Sequence, residues 1–79
     1  MRLPRDLSGA ELVRILCRHF GYQVVSQEGS HVILQTGVPR HHRLAVPDRA
    51  PLRLGTLNAI LRAVADAKGI AKDDILARI

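Results

Sequence analysis

Seventy-nine residues with 12 Lys and Arg against 7 Asp and Glu, a net charge of +5, make one small basic domain spanning residues 1–79. One Phe, one Tyr and no Trp exclude an RNA-binding fold built on an aromatic stacking platform, so the core must come from Leu, Ile, Val and Ala. A single cysteine, Cys17, excludes the disulfide framework of small secreted domains, and no apolar run approaches the roughly 20 residues of a membrane span.

The first segment, MRLPRDLSG, lacks the apolar centre of a signal peptide, and a soluble, cytoplasmic protein is expected. Ser8 followed three residues later by Glu11 has the spacing of a capping box and opens a helix. Leu12, Leu16 and Phe20, flanked by Val13, Ile15 and Cys17, form its apolar stripe, and Gly21 stops it. Arg14, Arg18 and His19 lie toward the solvated face. Cys17 falls on the stripe, as a core side chain.

From Tyr22 the period shortens to two. Tyr22 to Gln27 has strand composition, Glu28-Gly29 is the expected hairpin turn, and a second strand runs from about Ser30 to Thr36. Val32 and Leu34 share one face of it, and His31, Ile33 and Gln35 share the other. Gly37 and Pro39 open a basic loop. A third strand, about His42 to Val46, turns His42, Leu44 and Val46 one way and Arg43 the other. After Pro47 and Pro51, Thr56 is the expected N-cap of a second helix. Leu57, Ile60, Leu61 and Val64 are its buried stripe, and Lys68-Gly69 its end. Asp73 and Asp74 suit the first turn of a last short helix, with Arg78 near its far end. The order predicts an α+β fold, a two-layer α-β-β-β-α domain with a short C-terminal helix, and a sheet face free to carry a site.

Gly29-Ser30-His31 is the segment with most chemical content. A turn delivers an imidazole at the start of a strand, facing away from Val32 and Leu34. Imidazole exchanges protons at cellular pH. RNA carries its own nucleophile, so one positioned proton-transfer group is worth about 10²–10⁴-fold in rate. Arginines would stabilise the charge that develops on phosphorus. Residues 40–53 hold Arg40, Arg43, Arg49 and Arg53 against Asp48 alone. Ser30, Arg40, His41 and Arg43 are the candidates for holding RNA phosphates, with His31 as the catalytic candidate. His41 and His42 point to opposite strand faces, and no Cys or carboxylate stands at ligand spacing, so no metal site is expected. P-loop and dinucleotide-binding motifs are absent.

Phe20-Gly21-Tyr22, Gly29-Ser30-His31, Val46-Pro47, Leu54-Gly55-Thr56-Leu57 with Ile60-Leu61-Arg62, and Gly69-Ile70 through Ile75-Leu76 occur in one order along the chain. Together they resemble the HicA toxin family, the small mRNA-cleaving partners in toxin–antitoxin pairs. The resemblance implies a fold like that of a double-stranded-RNA-binding domain (dsRBD) and cleavage of single-stranded mRNA with His31 as the catalytic residue. It further implies no cofactor and neutralisation by a HicB-like antitoxin. It leaves the oligomeric state open between a free monomer and assemblies formed with the antitoxin. The chain departs from the family pattern at Glu28, where a basic residue is frequent. It departs again after Val46-Pro47, where Asp48 and Arg49 stand in place of a frequent histidine. Ala63 to Lys68 lengthens the second helix, and Ala71 replaces a common Ser. Two other readings fit the residues: a non-catalytic RNA-binding module of the same fold, and a protein that binds only an acidic partner through residues 40–53.

Overall fold

A computed structural model describes residues 3–79. The elements follow the order α1 (Gly9–His19), β1 (Gln23–Glu28), β2 (His31–Thr36), β3 (His42–Pro47), α2 (Leu54–Lys68) and α3 (Lys72–Leu76). The three strands form one antiparallel sheet in the order β1-β2-β3. This is the α+β arrangement expected, in the α-β-β-β-α order of a dsRBD-like fold.

The capping box forms as its spacing predicts. Glu11 N donates to Ser8 Oγ at 3.0 Å, and Ser8 N donates to Glu11 Oε1 at 3.0 Å. Leu12 and Leu16 are fully buried, while Phe20 and Cys17 pack half-buried against the same core. In β2 and β3 the pairs Val32 with Val46 and Leu34 with Leu44 present one face to the helices. Leu57, Leu61 and Val64 of α2 close over it, with Ile75 of α3 behind them. Each fully buried Leu contributes about 1.5–3 kcal/mol. β1 is an edge strand with Val24 and Val25 exposed, and its register shifts between Val24 and Ser26. That bulge roughens the open edge against pairing with another chain.

Three boundaries differ from the sequence expectations. The hairpin turn is Gly29-Ser30 rather than Glu28-Gly29, because Glu28 and His31 pair as the last residues of their strands. Tyr22 precedes β1 and is buried in the core. Thr56 is not the cap of α2, which starts at Leu54 with Arg53 at the cap position and no side-chain cap bond. Leu52 is buried and donates its N–H to Leu7 O at 2.8 Å, which pins the chain just before the helix. Leu57 N already bonds Arg53 O, so Thr56 lies inside the first turn. Asp73 and Asp74 do occupy the first turn of α3, where Asp74 accepts from Ala71 N, whereas Arg78 lies two residues past its end. Among the described residues no helix is long and apolar enough to cross a membrane.

Candidate active site

His31 owes its position to a two-residue hairpin loop. Gly29 has φ +62°, while Ser30 keeps a negative φ, the pattern of a type II′ turn with glycine at its first central position. β2 therefore begins at His31, exposed, on the face opposite Val32 and Leu34. Its neighbours on that face are fixed by register: Glu28 on β1 and Pro47 on β3.

The other wall of the site is the chain leaving β3. Asp48 N donates to Ser30 O at 2.6 Å, tying this segment to the hairpin turn. Gly9 N donates to Arg49 O at 2.9 Å, tying it also to the start of α1. The approach to α1 is so close that a Cβ on Gly9 would lie 2.0 Å from Pro47 O. Ser30, His31, Pro47, Asp48 and Arg49 together line a concavity of about 400 Å³. It combines an imidazole, a carboxylate and a guanidinium, the groups needed to move protons and hold an anion.

Of the residues singled out from the sequence, Ser30 lies with His31, and Arg40, His41 and Arg43 do not. Arg43 pairs with Gln35, four residues along β2 from His31, a separation of about 13 Å. Arg40 reaches α2, with its Nη2 3.6 Å from Asp66 Oδ2 and 3.5 Å from Asp66 O. Both partners are more than half exposed, so the pair is worth at most about 1 kcal/mol. His41 is exposed in the same region. The cation beside His31 is Arg49. Its location was encoded in the strand pairing: once Thr36 and His42 close the β2–β3 loop, Pro47 must come opposite His31, and Asp48-Arg49 next to it. Charge density along residues 40–53 does not distinguish Arg49, at the His31 end of the sheet, from Arg40 and Arg43 at the other.

That other end has its own polar network. Tyr22 Oη and His42 Nδ1 are 2.8 Å apart, with the rings edge to face. Lys68 Nζ donates to Thr36 Oγ1 at 2.8 Å and to Val38 O, and stands 5.0 Å from the centre of the Tyr22 ring. Burial pushes the Tyr22 phenol up to about 12. Loss of solvent, then the charges of Arg40 and Lys68, hold His42 below the usual imidazole range, against a smaller opposing pull from Asp66. Loss of solvent also lowers Lys68. Half-buried Cys17 has its thiol pushed up by burial, which suits packing and not nucleophilic attack. Among the described residues no three His, Cys, Asp or Glu side chains stand together to hold a metal ion.

Comparison with known proteins adds the family. A model of the family described as HicA toxin of bacterial toxin–antitoxin matches residues 9–65, from the first residue of α1 into the last turns of α2. Neither the curated proteins nor the solved structures yield a match. The family match covers the hairpin, both walls of the His31 concavity and most of the core. With more than half of its residues matched in one continuous span, the chain belongs to the HicA toxin family.

Proposed function

We propose that this toxin is an endoribonuclease that cleaves single-stranded mRNA by proton transfer at His31, in the cytoplasm, and that a HicB-like antitoxin neutralises it. The observation that carries the reading is one concavity in which an exposed His31 faces the Asp48-Arg49 segment, held there by the bond from Asp48 N to Ser30 O. In the proposed reaction the ribose 2′-oxygen attacks the adjacent phosphorus as its proton leaves to a base. The bond from phosphorus to the 5′-oxygen then breaks, and that oxygen takes a proton. His31 serves one of these two transfers. The Arg49 guanidinium, a two-point anion donor, stabilises the charge gathering on the phosphoryl oxygens. No metal takes part in this scheme, because RNA brings the nucleophile and Arg49 supplies the positive charge. Ser30, at the turn, offers a hydroxyl to the same phosphate.

The test is incubation of purified protein with single-stranded RNA in EDTA, beside a His31→Ala variant shown to be folded. Cutting by the wild type and a loss of roughly 10²–10⁴-fold in the variant are expected. Intact RNA with the wild type, or equal cutting by the variant, ends the catalytic reading. Binding without cutting would instead indicate an RNA-binding module.

A further inference from the structure

At the end of the sheet away from His31, a larger concavity of about 580 Å³ opens where the C-terminal ends of α1 and α2 meet the β2–β3 loop. Its walls are of two kinds. Phe20, Val38 and Ile70 are apolar, and Val38 is 73% exposed. Gln23 and Gln35, paired directly across β1 and β2, are polar residues of the same lining, as is Lys68. Phe20 is the only Phe of the chain, and the one other aromatic side chain, Tyr22, is buried in the core. The one phenyl ring of the chain, half-buried, therefore lies in this wall, with the His19 ring edge-on to it at 6.4 Å.

A flat group with apolar faces and a polar edge matches such a lining. Unpaired RNA bases are bound in this way, stacked on a ring and hydrogen-bonded along the edge, and the volume is that of an ordinary small-ligand site. The charge around the concavity suits the phosphates on either side of a base. Arg43 is the cross-strand neighbour of Gln35, and Lys68 donates only to neutral oxygens of Thr36 and Val38. The nearby carboxylate of Asp66 is occupied by Arg40.

We propose that this concavity is a base-binding subsite for the RNA strand whose scissile bond lies at His31, with Phe20 against the base and Gln23 and Gln35 at its polar edge. The inference rests on the ribonuclease reading of His31 and adds a second anchor for the same substrate. Gln35 stands about 13 Å along β2 from His31. At about 3.4 Å per stacked nucleotide, and more in a drawn-out strand, this corresponds to about two to four nucleotides. Arg43, remote from the chemistry, then holds phosphate along the way.

The test uses the full-length His31→Ala protein and a short labelled single-stranded RNA, with single abasic sites moved along it and binding followed by anisotropy. One position, about two to four nucleotides from the bond the wild type cuts, is expected to lose about 10-fold in affinity, the weight of one stacked base. Adding Gln23→Ala and Gln35→Ala should weaken intact RNA and make that position insensitive. Neither glutamine belongs to the core, so the melting temperature should hold. A flat scan, or normal RNA binding by the glutamine variant, overturns the subsite. If that variant binds RNA normally but loses the antitoxin, the concavity receives a protein side chain and the base assignment is wrong. Should wild-type protein leave RNA uncut while the scan keeps its sensitive position, the ribonuclease reading falls and the subsite stands.

Discussion

At the scale of single residues, the structure separates two groups of basic side chains that composition merges. His31 and Arg49 share one concavity, whereas Arg40, His41 and Arg43 lie at the far end of the sheet. If Arg49 meets the transition-state charge, Arg49→Ala should lower kcat on RNA by roughly 10²-fold, as loss of one preorganised donor does elsewhere. Its side chain is exposed, so thermal stability should stay nearly unchanged. Arg43→Ala should raise KM and leave kcat nearly unaltered, since uniform binding is all that a distant phosphate contact supplies. Rate measurements on one defined RNA with both variants check this; equal kcat losses would refute the division. Asp48-Arg49 was visible in the sequence as the replacement for a family histidine. Its place beside His31 followed only from the pairing of β2 with β3.

Among the elements, the contact between α1 and the end of β3 matters most for the site. Gly9 N holds Arg49 O, and the absence of a Cβ at Gly9 lets the helix start sit against Pro47. Gly9→Ala places a methyl group against a backbone carbonyl that cannot swing away. The variant should lose about 1–3 kcal/mol of stability, the usual cost of overpacking, despite the better helix propensity of Ala. It should also lose RNA cleavage in conditions where it remains folded, because the Pro47–Arg49 wall must shift from His31. Urea unfolding and cleavage assays, run together, report both effects. The apolar spacing in α1 and α2 and the Ser8–Glu11 box were legible because they are local patterns. Gly9 was not, because a glycine in the first turn of a helix gives no sign of what stands 2.0 Å from its missing Cβ.

For the whole molecule, the pairing of buried Tyr22 with half-buried His42 ties stability to pH from both sides. His42 has its folded value lowered by burial and by Arg40 and Lys68, so in acid the unfolded chain binds the extra proton. Stability should be complete above the ordinary imidazole value of about 6.5 and fall as pH drops below it. Tyr22 is raised to about 12, so in base the unfolded chain loses its proton first. Stability should then fall again as pH rises from the ordinary phenol value of about 10 toward 12. Denaturant midpoints across pH should show a plateau between the two limbs, and His42→Gln should flatten the acid limb. An acid limb unchanged in that variant would assign it to other groups. The sequence alone determined the element order, the buried faces of α1, β2, β3 and α2, and His31 at a turn, because periodicity, caps and turn residues act within a few positions. The tertiary structure decided which cation stands beside His31, that Gly9 is a packing contact, and that Phe20 with two glutamines forms a second cavity. Those depend on strand register and on how helix ends meet the sheet, which arise only when residues distant in the chain compete for the same space.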